Sequence, residues 1–187
     1  REYRRYHYGM LKLLANRQRV QSLSDEYFND QPVLYSNTAY ADLFNQVYDK
    51  YLAIFGRTES GKQVYDDINR TGSFHALVKT LSGNNNFSND TLTELIILKQ
   101  IHDEFYGSQF SRNGLLNILD TLISSTVISD HRVIASNIKH KITRLLPGYE
   151  PPQFELLDTE GNMVKLADFK GKYVYLNFCT CQSYACL

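Results

Sequence analysis

The spacing of apolar residues changes once along this chain, at Pro147, and that change limits the fold more than any other feature. Before it, apolar residues recur at steps of three and four, the period of a helix face. After it they alternate, the period of a strand. Pro147-Gly148 is a sharp helix stop, and Pro151-Pro152 fixes two φ angles and removes two backbone donors. The expected architecture is therefore mainly α, with an irregular α-helical domain over residues 1–146 and an extended segment over residues 147–187. At 187 residues and 43% hydrophobic content the chain is large enough to bury a core and suits one domain plus part of another.

Within the helical part, Tyr6, Met10, Leu13 and Leu14 begin a stripe that Leu23, Tyr27 and Phe28 continue, and Asp30-Gln31-Pro32 interrupts it. Ser36 or Asn37 can cap a second helix, in which Tyr40, Leu43, Phe44, Val47, Tyr48, Tyr51, Leu52 and Phe55 predict one continuous element ending at Gly56. Residues 61–82 read as two short helices separated by Thr71-Gly72-Ser73. Thr91-Leu92-Thr93-Glu94 has the capping-box pattern and opens a segment apolar nearly all round, the expected central helix, with Gly107 after its end. Ser111 can cap the next helix. Ser129 can cap the last, where Val133, Ile134, Ile138, Ile142 and Leu145 predict a buried stripe. No repeat period emerges.

Beyond Pro147, Phe154 and Leu156 share one strand face, Gly161 supplies the turn near Thr159 to Asn162, and Val164 and Leu166 return on a partner strand. Tyr173 to Phe178 is apolar on both faces except at Asn177, as in a central strand, and it leads into Cys179, Cys181 and Cys186. The run Pro152-x-Phe154, then Leu166-x-x-Phe169-x-Gly171-Lys172, then the strand and its cysteines, resembles the opening of a TlpA-like thioredoxin-fold domain of the AhpC/TSA and redoxin kind. The resemblance covers residues 148–187. It implies that the second part is the first hairpin and core strand of a thioredoxin-like α/β domain, and that its active-site helix would begin where residue 187 stands. We therefore expect the sequence to be a fragment, with any signal peptide or lipid anchor lying outside it.

Thioredoxin-like sites use Cys-x-x-Cys at a helix N-terminus, where the helix dipole and unpaired N–H groups lower the first thiol's pKa. Aligned on the resemblance, the first cysteine position holds Ser183 and the second holds Cys186. A serine hydroxyl stays protonated near neutral pH and forms no mixed disulfide. Three readings stand side by side. Cys186 can pair with Cys181 or Cys179 as a displaced redox couple, within the limit that a disulfide needs Cα atoms roughly 4.4–6.8 Å apart. Ser183-x-x-Cys186 echoes the Ser/Thr-x-x-Cys of peroxiredoxins, although Cys179 stands where their upstream proline would be. Or the site is degenerate and the cysteines are small core residues. Three cysteines with no histidine nearby fall short of the four ligands of a structural zinc, so neither a metal nor another cofactor is expected.

Twenty basic and twenty acidic side chains cancel without a Lys/Arg run, which argues against nucleic acid as a partner. No apolar run reaches the roughly 20 residues that a membrane helix needs. His7, His75, His102, His131 and His140 are scattered without i, i+4 pairing and read as surface or satisfied residues. His102-Asp103-Glu104 reads as the solvated face of the central helix, and the fourteen Tyr and ten Phe as core. By resemblance, the expected function is thiol–disulfide oxidoreduction in the bacterial cell envelope or periplasm, with protein thiols or disulfides as partners and Cys186, Cys181, Cys179 and Ser183 as the candidate site. The other reading is a non-enzymatic binding or tethering module with a degenerate thioredoxin-like domain.

Overall fold

A computed structural model describes residues 1–15, 19–83 and 89–177. The chain divides into two compact units, Arg1–Thr143 and Arg144–Leu187. The protein is mainly helical, with one small two-stranded sheet.

The first unit contains α1 (Glu2–Leu14), α2 (Val20–Tyr27), α3 (Thr38–Val47), α4 (Tyr51–Phe55), α5 (Val64–Asp66) running into a π-helical turn at Asp67–Thr71, α6 (Phe74–Ser82), α7 (Asp90–Glu104), α8 (Arg112–Ser125) and α9 (Ser129–Thr143). Short polar side chains start most of the longer helices by taking up backbone N–H groups that lack an intrahelical acceptor. Asn37 accepts from the Tyr40 amide at 3.1 Å, Ser73 from Ala76 at 3.2 Å and Ser111 from Gly114 at 3.3 Å. Tyr6, Phe28, Tyr40, Phe44 and Tyr48 pack ring against ring beneath α1, α2 and α3, with Tyr6 and Tyr40 centroids 4.9 Å apart and Phe28 and Tyr40 centroids 5.1 Å apart. These rings fill the core as their helical spacing predicts, whereas Tyr3, Tyr8, Tyr35, Tyr106, Tyr149, Tyr173 and Tyr175 are exposed. The expected pair of short helices on either side of Thr71-Gly72-Ser73 is present, with Gly72 at φ +55°.

Three local expectations are corrected. The single helix expected from Tyr40 to Phe55 is broken after Val47, because Lys50 takes a left-handed conformation at φ +48°. Gln100 of α7 fills the break: its Nε2 donates to the Tyr48 carbonyl at 2.7 Å, and its Oε1 accepts from the Leu52 amide at 3.2 Å. The cap of α7 is Asn89, which accepts from Thr91 N at 2.9 Å, not Thr91 in a box with Glu94. In α9 the buried stripe is His131, Ala135, Ile138 and Ile142, whereas Val133 and Leu145 are 60% and 69% exposed. Counting only apolar residues rotated that face, since the buried position at its head is a histidine.

α7 is the central helix, burying Leu92, Thr93, Ile96, Ile97, Leu98, Gln100 and Ile101. Its contacts with α9 advance together along both chains, from Glu94–His131 through His102–Lys141 to the Tyr106 hydroxyl on the Ile142 carbonyl at 2.7 Å. The two helices therefore run parallel, with α8 as the return between them.

The second unit contains β1 (Glu155–Leu157) and β2 (Met163–Lys165), antiparallel with Leu156 opposite Val164, followed by a 3₁₀ turn at Leu166–Phe169. Among the described residues no strand precedes Pro147, and the hairpin turn lies where Gly161, at φ +87°, predicts it. Asp158 holds that turn by accepting from the Glu160 and Asn162 amides, each at 2.8 Å. These bonds, those of Asn162 foremost, keep its carboxyl below the usual range. Residues 173–177 have no sheet partner among the described residues, so the expected central strand is not formed there.

Candidate functional site

In the first unit a groove of about 530 Å³ lies between α3, α7, α9 and the segment before α3. Leu95, Leu98, Ile134 and Ile138 line it, with Tyr40, Ala41 and Phe44 facing them from α3 and Val33, Leu34 and Tyr35 closing a side. Local periodicity explains the lining. Leu95 and Leu98 are three apart on α7, and Ile134 and Ile138 four apart on α9, so each pair points one way from its helix.

One end is charged. Lys99 and Asp103, at i, i+4 on α7, form an ion pair, and the Lys99 side chain is only 10% exposed. His102 Nδ1 lies 2.8 Å from Asp103 Oδ1, and its Nε2 lies 2.9 Å from Lys141 Nζ of α9. An ammonium can only donate, so Nε2 accepts from Lys141 and Nδ1 carries the proton given to Asp103. Burial raises the Asp103 carboxyl, but the hydrogen bonds from Lys99 and His102 outweigh it and hold the group below the usual carboxylate range.

The other end carries a buried polar chain. His131 is fully buried, with Nδ1 2.8 Å from Glu94 Oε2 and Nε2 2.8 Å from the Tyr35 hydroxyl. Thr126 donates to the same Glu94 oxygen at 2.8 Å. In the tautomer that satisfies both partners, Nδ1 donates to the Glu94 carboxylate and Nε2 accepts from the Tyr35 hydroxyl. Burial, with the charges of Asp130 and Glu94, pushes the Tyr35 hydroxyl up, which keeps it a donor.

Of the sequence candidates, His131 is a satisfied buried histidine. His102 and Asp103 stand at the polar edge of α7 as expected, but Lys99 and Lys141 tie them into the wall of the groove. The i, i+4 spacing of Lys99 and Asp103 was the available signal for that. Cys179, Cys181, Ser183 and Cys186 lie outside the described residues. In the second unit Phe154, Val164, Leu166 and Phe169 are half-buried, whereas Leu156, Tyr173 and Tyr175 are 62%, 108% and 91% exposed. Among the described residues no cluster of His, Cys, Asp and Glu is arranged to hold a metal, and no helix is long and apolar enough to cross a membrane. No family model, curated protein or solved structure matches the chain.

Proposed function

We propose that the protein containing residues 1–187 takes part in thiol–disulfide exchange, its helical unit leading into the opening of a thioredoxin-like domain. The observation that carries this reading is the arrangement of the motif residues. Phe154 and Leu166 pair across the hairpin, the Leu166 amide donating to the Phe154 carbonyl at 3.2 Å. Phe169 closes the 3₁₀ turn, and Gly171 at φ +84° turns the chain into the apolar run before the cysteines. Phe154, Val164, Leu166 and Phe169 are the half-buried face of this unit, while Tyr173 to Leu176 remain exposed. Such a face suits a hairpin laid against further layers of an α/β domain.

In this reading Cys186 is the thiol of the site, with Cys181 or Cys179 as its partner and Ser183 in the place of the usual first cysteine. Envelope or periplasmic location follows from the same resemblance. The serine favours a second reading, a degenerate thioredoxin-like domain that binds or tethers without catalysis. Ser183→Cys separates the two by the rate of thiol exchange and the pH profile of alkylation. A new thiol titrating below the free value of about 8.5 and pairing with Cys186 supports the motif alignment. A wild type already active, and inactivated separately by Cys186→Ala and Cys181→Ala, favours the displaced redox pair. A new thiol that titrates near the free value and never pairs with Cys186 refutes the site. Residues 1–187 alone are expected to reduce insulin disulfides no faster than a cysteine-free variant.

A further inference from the structure

The groove of the helical unit plays no part in the redox reading, and its walls and charges select a class of ligand. Its volume of about 530 Å³ lies within the range of small-molecule sites, roughly 300–1,000 Å³. Along α7 the lining runs from Leu95 to Asp103, about 12 Å at 1.5 Å per residue. Leu95, Leu98, Ile134 and Ile138 make this length apolar. At one end the Lys99–Asp103 ion pair and His102 line the groove, and the Lys141 ammonium of α9 donates to His102, so two ammonium groups meet one carboxylate in this cluster. Lys99 has three N–H donors and gives one to Asp103, while Lys141 gives one to His102, so both have donors in hand for an arriving anion. At the opposite end the Glu94 carboxylate accepts from His131 and Thr126. These neutral donors leave the carboxylate its negative charge, which with Asp130 directs an anionic head to the Lys99 end.

We propose that this groove binds a single-chain amphipathic carboxylate, its apolar body lying along Leu95, Leu98, Ile134 and Ile138 and its anionic head at Lys99 and Lys141. Affinity comes from apolar surface removed from water, and selectivity from charge-assisted hydrogen bonds to the head. The site stands whether or not the cysteines are redox-active.

The test uses the full chain and three probes of equal tail, decanoate, 1-decanol and decyltrimethylammonium, below micelle-forming concentrations. Calorimetry gives affinity, and methyl NMR locates binding. Decanoate is expected to saturate at one site and shift the methyls of Leu95, Leu98, Ile134 and Ile138, with the other two probes about tenfold weaker, the size of one charge-assisted hydrogen bond. Lys141→Gln, at an exposed position, should weaken decanoate about tenfold and leave decanol unchanged. Ala41→Trp should fill the groove and abolish binding. Should that variant fail to fold, the probe panel and Lys141→Gln still decide. Equal affinity for decanoate and either other probe, saturation without shifts at those four residues, or unchanged binding by folded Ala41→Trp overturns the proposal.

Discussion

Gln100→Met removes two hydrogen bonds while nearly preserving side-chain length and volume, and it tests whether α7 holds open the break between α3 and α4. Gln100 is 1% exposed. Its amide donates to the Tyr48 carbonyl and accepts from the Leu52 amide, on the two sides of the left-handed Lys50. Leu52 is fully buried, so its N–H gains no water when the acceptor goes. A buried unsatisfied donor costs about 1–3 kcal/mol, and loss of the bond to Tyr48 adds about 1 kcal/mol. Met offsets part of this through apolar burial, which leaves a net loss of about 2 kcal/mol. At about 3 °C per kcal/mol for a unit of this size, Tm should fall by roughly 6 °C. Urea unfolding followed by circular dichroism gives the stability, and amide exchange at Leu52 should accelerate more than at Ile96 on the apolar part of α7. If Gln100→Met is as stable as wild type, or if Leu52 keeps its protection, the break does not depend on Gln100 and the argument fails.

Gly114→Ala should destabilise by about 1–3 kcal/mol despite the better helix propensity of alanine, because a Cβ there collides with the Ile68 carbonyl oxygen of the π-turn; thermal melting checks it. His131→Leu should cost about 3 kcal/mol, since it strips the buried end of Glu94 of one donor and Tyr35 of its acceptor. Glu94→Gln should cost less, because an amide oxygen can still accept from both Thr126 and His131; the pair of urea titrations distinguishes lost hydrogen bonds from lost charge. Asp103 has a folded-state pKa below its ordinary 3.8, so its contribution is fully present above that value and lost as pH falls through the lowered one. Asp103→Asn should therefore flatten the acid limb of the stability curve below about pH 4, with Lys99, His102 and Lys141 the charged or titratable neighbours that set the effect.

The helical unit was legible wherever one helix face is apolar and a short polar residue precedes it. α6 and α8 start at Ser73 and Ser111, and the switch at Pro147 separates all the helices from the hairpin. The break at Lys50 was not legible, because apolar spacing on either side of it remains in phase. Only a buried glutamine nearly fifty residues away supplies its missing partners. The misplaced stripe of α9 has the same origin. His131 and Glu94 are polar in sequence, but each satisfies the other in space, and an apolar count cannot see such pairs. The groove was hidden for a related reason, since its walls come from three separated helices and its charged end from two.

These misses converge on α7. A helix that is buried nearly all round has no solvent face on which to put polar residues, so each one it carries must be answered by another element. Glu94 is answered by Thr126 and His131, and Gln100 by the broken backbone at Tyr48 and Leu52. His102 is answered by Asp103 and Lys141, whereas the Lys99 ammonium gives only one of its three donors to Asp103. The first two arrangements meet an acceptor or donor at each end and act as internal fastenings. The third keeps the Lys99 ammonium in the wall of an apolar groove with Lys141 joined to it through His102, where an incoming carboxylate completes the set. The same requirement of polar satisfaction that breaks α3 from α4 thus leaves α7 with one end organised to meet a ligand. Substitutions at Gln100 should change stability without changing affinity for an anion, and those at Lys141 the reverse.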